Sequence, residues 1–295
     1  MRIAVTGSHG LLAGALLDDI DPQSDTILPI VRFPPREDGE ILWNPGQPLD
    51  RLNDFDAIVH LAGARVDRRW TPAVRREIVE SRVDRTRALC EALAALPRPP
   101  RALLCASAIG FYGNRGDDTL DESAPCGAGF LAELTAAWEA ACDPARAAGI
   151  RVVHLRFGIV LSPRGGALAR MLPLFRLGLG GPLGDGRQIL SWIHIRDAGR
   201  AMRHLLQRTD ATGPFNITAP APVSNREFAR TLGRALRRPA VLPAPAFALH
   251  LVFGEMADAA LLSGARVQPR RLIESGFHFQ FGELAPALEA LLRPS

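Results

Sequence analysis

Short apolar runs alternate along this chain with longer stretches of helical periodicity. Ile3, Ala4 and Val5 form an uncharged, partly β-branched run that predicts a buried strand, and residues 11–20 continue as a helix. Residues 26–31 predict a second strand and 57–62 another, followed by a long helical stretch over 72–96. Residues 102–107 predict a further strand, 130–148 a helix and 151–155 a strand. Alternation of this kind requires right-handed βαβ crossovers, hence a parallel sheet with helices on both faces. After Leu161 the texture changes. Residues 165–186 are rich in glycine, leucine and proline, and the segment from Ser224 onward is helical with proline breaks. Residues 198–206 read as a helix returning to the main domain, whereas 213–219 and 225–236 read as entering a cap that continues through 243–245 and 270–292. The predicted fold class is α/β. A Rossmann-type doubly wound parallel sheet takes residues 1–161 plus about 189–215, and a smaller C-terminal α+β substrate or cap domain takes 162–188 and 216–295.

Composition narrows this little. The 295 residues, 47% hydrophobic and 22% charged, can bury an ample core. A formal charge of +4, spread along the chain, gives nucleic-acid binding no support. All 35 basic residues are arginine, so any mechanism that needs a lysine amine is excluded. Cys90, Cys105, Cys126 and Cys142 form no C-x-x-C pair. They read as reduced, mostly buried thiols of a cytoplasmic protein rather than a disulfide frame or zinc site, and the seven histidines show no metal-ligand spacing. No metal is expected. The N-terminus runs straight into an apolar strand with Arg2 as its one charge, which does not read as a signal peptide. The longest charge-free apolar stretch, 239–254, holds three prolines and is too short to span a bilayer, so no membrane partner is expected.

The first strand-to-helix turn carries the most chemistry. Thr6-Gly7-Ser8-His9-Gly10-Leu11-Leu12-Ala13-Gly14 sits between the first strand and the first helix. Glycines in such a turn let the backbone approach a pyrophosphate, whose charge then meets the helix N-terminus. The spacing is G-x-x-G-x-x-A, with Ala13 where a third glycine would allow close helix packing. The end of the second strand then selects the cofactor. An NAD site needs a carboxylate there for the ribose hydroxyls, but this chain offers Val31-Arg32-Phe33, with no acid until Glu37. Arg32 suits the 2′-phosphate of NADP(H), which a carboxylate would repel.

With that turn, Leu61-Ala62-Gly63 after the strand over 57–62 and Ser107-Ala108-Ile109-Gly110-Phe111-Tyr112-Gly113 after the strand over 102–107, the chain resembles an extended short-chain dehydrogenase/reductase. Later segments narrow the resemblance. Phe130-Leu131-Ala132-Glu133 with Trp138-Glu139, Arg156-Phe157-Gly158-Ile159-Val160-Leu161 and Gly165-Gly166-Ala167-Leu168 follow in order. Gly178-Leu179-Gly180-Gly181-Pro182-Leu183-Gly184, Ser191-Trp192-Ile193-His194-Ile195 and Asn216-Ile217-Thr218-Ala219-Pro220 complete the set. Together they are similar to the atypical, NAD(P)-dependent epimerase-like "epimerase family protein" group, which ends in a characteristic C-terminal module; the likeness runs from residue 1 to about residue 292. It implies that Gly7, Ser8, His9, Gly10, Leu11 and Leu12 wrap the pyrophosphate and that Arg32 meets the adenosine phosphate. Leu61, Ala62 and Gly63 would line the adenine–ribose side, Ser107 would hydrogen-bond a substrate oxygen, and Arg156, Phe157 and Gly158 would close over the nicotinamide.

The chain departs from the active enzymes of that type at one place. They carry Tyr-x-x-x-Lys on the helix after this strand, where the lysine lowers the tyrosine pKa so that the phenol can move a proton. The helix over 129–148 has neither residue, and the single tyrosine, Tyr112, lies in the preceding loop. Tyr112 is a candidate proton carrier or a packing aromatic. Glu133 and Glu139 lie on the helix but six residues apart, poorly placed to share a face, and Glu139 beside Trp138 reads as a solvated or capping carboxylate. His194 is a candidate acid–base or substrate group, or a local hydrogen-bonding residue between domains. Arg187, in Gly184-Asp185-Gly186-Arg187-Gln188, is a candidate for an anionic substrate group or an exposed turn residue. Two functions remain. One is an NADP(H)-dependent oxidoreductase or epimerase-like enzyme acting on a small-molecule substrate, as a monomer or homodimer. The other is a non-catalytic NADP(H)-binding sensor or partner-binding protein. A serine hydrolase would need a G-x-S-x-G elbow, which is absent.

Overall fold

A computed structural model describes residues 1–21, 23–35 and 39–293; Glu37 lies outside the described residues. Strands β1 (Arg2–Thr6), β2 (Thr26–Val31), β3 (Ile41–Leu42), β4 (Ala57–His60) and β5 (Ala102–Ala108) alternate with helices α1 (Leu11–Leu17), α2 (Pro72–Val79) and α3 (Arg85–Ala94). Short β6 (Thr119–Leu120) follows, then α4 (Phe130–Ala140), α5 (Asp143–Ala147), β7 (Arg151–Phe157), β8 (Ile159–Leu161) and α6 (Gly166–Arg176). The chain continues with β9 (Ile189–Leu190), β10 (Trp192–His194), α7 (Ile195–Gln207), β11 (Gly213–Ile217), β12 (Val223–Ser224) and α8 (Asn225–Leu236). It closes with α9 (Ala246–Phe253), β13 (Arg266–Val267), α10 (Arg270–Glu274) and α11 (Leu284–Leu292). Among the described residues no helix is long and apolar enough to cross a membrane.

The main sheet has seven parallel strands in the order β11-β7-β5-β4-β1-β2-β3. Its central strands are apolar throughout because helices cover both faces: Ile3, Val5, Ile58, Val59, Leu103, Leu104, Val152 and Val153 all lie in one core. From β1 the chain winds outward through β2 and β3, then returns to β4 on the other side. The reversal opens a crevice at the C-terminal ends of β1 and β4.

Several elements differ from the sequence pattern, each for a local reason. The helix expected over 72–96 starts at an N-cap, Thr71, whose side chain accepts from the Val74 amide. It is then interrupted by one wide π-type turn, Glu80–Asp84, which separates α2 from α3. The helix expected over 130–148 divides at Cys142, where Asp143-Pro144 starts α5. Residues 213–219, expected to enter the cap, instead begin with the edge strand β11, paired in parallel with β7 from Gly213↔Val153 to Ile217↔Phe157. Main-sheet pairing therefore runs past residue 215 to Ile217. Phe215 and Ile217 point into the main core, which explains the pairing. The cap has its own core of Leu161, Leu168, Phe175, Trp192, Phe228 and Leu288. Close packing of α1 rests on a glycine outside the first turn. A Cβ at Gly199 in α7 would come within 2.2 Å of the Ala15 carbonyl oxygen.

A polar row crosses the interior of the main sheet. Thr6, His60, Cys105 and His154 are lateral partners on β1, β4, β5 and β7. Thr6 Oγ1 accepts from the amides of Leu61 and Ala62, so its own proton goes to His60 Nδ1 at 2.7 Å. Nε2 of His60 is then the protonated nitrogen, donating to Thr86 Oγ1 at 2.9 Å, which also accepts from Trp138 Nε1. Burial lowers the His60 pKa from 6.5 to about 4, against a small opposing effect of Cys142. Nearby, Cys90, Cys105 and Cys142 are buried and free, their sulfurs neighbouring one another; Cys126 is exposed.

Buried His60 makes the fold acid-sensitive. The unfolded chain takes a proton on His60 near pH 6.5 and the folded chain only near pH 4. Stability is therefore complete above the upper value and falls as pH drops between the two, by about 3 kcal/mol for this one group. Urea unfolding from pH 7 to 4 should show the decline, and His60→Gln should remove about one proton from its slope. An unchanged slope in that variant would refute the assignment.

Candidate functional site

The crevice holds a cavity of about 490 Å³. Its floor is the turn after β1, Thr6 to Gly10; one wall is Leu61, Ala62 and Gly63 after β4; the far end holds Ile30, Val31, Arg32, Phe33 and Trp43. Gly7 makes the closest approach. Its φ is +70°, and a Cβ there would sit 2.9 Å from the Ala62 nitrogen and the Leu61 carbonyl carbon. Only glycine meets both demands. Gly10 closes the turn by donating its amide to the Gly7 carbonyl at 2.8 Å and is the N-cap of α1. No side chain caps this helix, so its first amides are open to an acceptor from the cavity. Ser8 and His9 stand at the mouth, with Ser8 Oγ 3.3 Å from His9 Nδ1. Leu11 and Leu12 begin α1 behind them.

At the far end Arg32 is exposed, its guanidinium carbon 5.1 Å over the Phe33 ring. No carboxylate pairs with it among the described residues. Glu40 also lines this end and is buried, with interactions of its own. A cradle that backbone alone can enter, an uncapped helix start and an exposed guanidinium at the end of β2 together suit a phosphorylated dinucleotide.

Ser107, Tyr112 and Arg156 are brought together, but in the interior. The Ser107 hydroxyl donates to Glu139 Oε1 at 2.6 Å. Arg156 grips the same carboxylate with two bonds, Nε to Oε1 at 2.7 Å and Nη2 to Oε2 at 2.8 Å. Its Nη1 donates to the Tyr112 hydroxyl at 3.0 Å, and that hydroxyl donates to Asn216 Oδ1 at 2.8 Å. The guanidinium carbon lies 3.5 Å over the Phe111 ring. Burial pushes the Glu139 carboxyl up, but the Arg156 bonds outweigh it and hold the pKa below the usual carboxylate range. Burial also pushes the Tyr112 phenol up, partly opposed by Arg156. The reading of Glu139 as a solvated carboxylate is corrected: its partner, 17 residues on, reaches it only because α4 packs over β5 and β7 pairs beside β5.

The other candidates are more scattered. Phe157 is buried beside Arg156, and Gly158 turns the chain where a Cβ would meet the Ser191 carbonyl oxygen at 2.4 Å. His194 is the N-cap of α7, its Nδ1 accepting from the Arg196 amide at 3.0 Å, and its ring stacks on Phe281 at 3.8 Å. Burial lowers its pKa to about 4. Arg187 projects from the turn before β9 with its side chain 86% exposed, 3.9 Å from Asp185. It does not line the cavity. Glu133 is exposed on α4. The start of α4 is apolar: Phe130, Leu131 and Leu134 pack with Trp70 and Met256. Sequence reasoning quoted Asn216 only as part of a motif, without a role, and missed Glu122, which accepts from the Asn216 and Arg271 amides. These residues are too far apart in the chain for spacing to reveal the contact.

Comparison with known proteins agrees with this geometry. Residues 3–218 match the model of the NAD dependent epimerase/dehydratase family, and residues 244–291 match a domain of unknown function, DUF1731. The chain is 42% identical over 290 residues to epimerase family protein Mb2239 of Mycobacterium bovis, covering 97% of this chain and 96% of that protein. It is 34% identical over 304 residues to the chloroplastic SDR39U1 homolog of Arabidopsis thaliana, covering 99% and 87%. Among solved structures, the human epimerase family protein SDR39U1 with NADPH superposes with a TM-score of 0.91 at 34% identity, over 99% of both chains. UDP-glucuronic acid 4-epimerase of Bacillus cereus, at 17% identity and a TM-score of 0.78, shares the fold. The chain belongs to the NAD dependent epimerase/dehydratase family, within its atypical extended short-chain dehydrogenase/reductase group that carries the DUF1731 module.

Proposed function

We propose that this protein is an NADP(H)-dependent oxidoreductase or epimerase-like enzyme acting on a small molecule at the C-terminal ends of the main-sheet strands. The observation that carries the choice of cofactor is Arg32, exposed and without a carboxylate partner among the described residues at the end of β2, where an NAD site needs an acid. The NADPH in the human relative's structure supports the same choice. In this reading Gly7, Ser8, His9, Gly10, Leu11 and Leu12 hold the pyrophosphate, Arg32 meets the 2′-phosphate, and Leu61, Ala62 and Gly63 line the path between them. The nicotinamide, when bound, supplies or accepts a hydride. Phe157 and Gly158 border that end, and Arg187, outside the cavity, is one exposed cation of the cap that would meet an anionic substrate group.

Ser107, Tyr112 and Arg156 are assigned as positioning residues. Both hydroxyl protons are directed to Glu139 and Asn216, so neither faces a reacting oxygen. Their joint effect is to hold the end of β5 against β7 and β11. His194, as a helix cap stacked on Phe281, orients the cap in the same way. The apolar start of α4, where proton-transfer residues stand in active relatives, favours a second reading: an NADP(H)-binding sensor without turnover. A screen of carbonyl and sugar substrates for oxidation of bound NADPH separates the two.

Calorimetric titration should show NADPH binding tighter than NADH, and Arg32→Ala should remove a preference of about tenfold while leaving NADH unchanged. Equal binding of both cofactors by the wild type would overturn the cofactor assignment. Arg156→Met should destabilise the protein by about 3–5 kcal/mol in urea unfolding, because it leaves the Glu139 carboxylate buried without a counter-charge. The double variant Arg156→Met/Glu139→Leu should recover much of that loss. A single variant as stable as wild type would show that the pair does not hold this end of the sheet.

A further inference from the structure

The wide turn Glu80–Asp84 turns Arg82 onto the backbone of Gly63. A Cβ built at Gly63 would meet Cζ and Nη2 of Arg82, each at 3.2 Å. Gly63 is not among the residues with positive φ, so its missing side chain serves the guanidinium rather than the backbone. On the other side the guanidinium carbon lies 5.1 Å over the Trp138 ring. Among the described residues its one hydrogen bond goes to Ser81 Oγ at 3.4 Å, and no carboxylate pairs with it. Burial lowers its pKa to about 10, which still leaves it charged at neutral pH. A half-buried cation without a counter-charge is costly in the absence of an anion.

The neighbouring arginines are differently placed. Arg85 bonds Glu80 at 3.4 Å, and Arg68 bonds Glu77. Of the two arginines that line the cavity, Arg85 is paired and Arg32 has no carboxylate among the described residues; Arg82 does not line it but lies against Gly63, which does, and it too has no carboxylate there. Arg32 and Arg82 lie at different places along the crevice. Arg32 is at the end of β2, whereas Arg82 covers Gly63, one residue beyond the Leu61–Ala62 backbone on which Gly7 rests. Ser81, beside Arg82, lines the same cavity and accepts from Nη1, and its Oγ also accepts from the Ala64 amide at 3.0 Å. A phosphorylated dinucleotide brings two separated anionic groups to such a crevice.

We propose that Arg82 is the counter-charge for the dinucleotide pyrophosphate, delivered from the α2–α3 turn across from the Gly7–Gly10 loop. This rests on the dinucleotide reading above. The two guanidinia then divide the work. Arg32 discriminates between phosphorylated and unphosphorylated cofactor, and Arg82 grips the part common to both.

The test is titration of the wild type, Arg82→Met and Arg32→Ala with NADPH and NADH. Methionine keeps an apolar stem against Trp138, and the unfolding midpoint checks the fold. Arg82→Met should weaken both cofactors by a similar factor of about ten or more, whereas Arg32→Ala weakens NADPH alone. Arg82→Lys, which keeps the charge, should retain part of the affinity. If Arg82→Met does not fold, NADH binding by the wild type at rising salt replaces it, and affinity indifferent to salt overturns the proposal. Wild-type affinity for both cofactors in Arg82→Met, or loss confined to NADPH, also overturns it. Should the wild type bind neither cofactor, the dinucleotide reading itself falls.

Discussion

The close approach of Gly7 to the Leu61–Ala62 backbone is the constraint on which the site is built. It joins the ends of β1 and β4, the two strands between which the winding reverses. At 2.9 Å for a hypothetical Cβ there is no room for any side chain. Thr6, one residue earlier, locks the junction: its hydroxyl takes both amides that leave the β4 ladder and gives its proton to His60. The glycine turn after β1 and the wall beside it are thus one hydrogen-bonded unit. Burial keeps His60 neutral, so the unit carries no charge of its own to compete with an anionic ligand.

A second network ties the neighbouring strands β5, β7 and β11 to α4. Arg156 and Glu139 tie β7 to α4, Ser107 adds β5, and Tyr112 with Asn216 adds β11. Glu122 and Arg271 extend the chain of contacts toward the C-terminal segment, which returns to the main sheet through α10. A buried bidentate pair holds only while both partners remain, because either one alone would be an uncompensated charge in the interior. That makes the network a frame in which the Ser107 and Tyr112 hydroxyls are bonded to Glu139 and Asn216. The cap is fixed similarly: buried Asp197 on α7 accepts from the amides of Gln280 and Phe281, and His194 stacks on Phe281.

The family resemblance and the local chemistry answer different questions. Membership follows from motifs spread over the whole chain and from the superposition with the human relative. The missing Tyr-x-x-x-Lys pair is a property of this chain, and apolar packing of Phe130, Leu131 and Leu134 now occupies the start of that helix.

What the sequence determined by itself was local and periodic. Alternating apolar runs and helical stretches specify a doubly wound parallel sheet, because strands buried on both faces must be apolar throughout and need crossover helices. The glycine turn and the exposed Arg32 at the end of β2 are likewise legible, because a backbone approach and a charge at a strand end are readable from a few adjacent residues. Tertiary structure alone decided the rest. β11 joined the main sheet because Phe215 and Ile217 found the main core, a fact absent from the texture of 213–219. Glu139 became a partly buried ion-pair partner because β7 delivered buried Arg156 to it from 17 residues away. Arg82 faces Gly63 only because a wide turn interrupts the helix that periodicity drew as continuous. Pairing, burial and the direction of a side chain depend on which elements pack together, and one-dimensional spacing does not contain that.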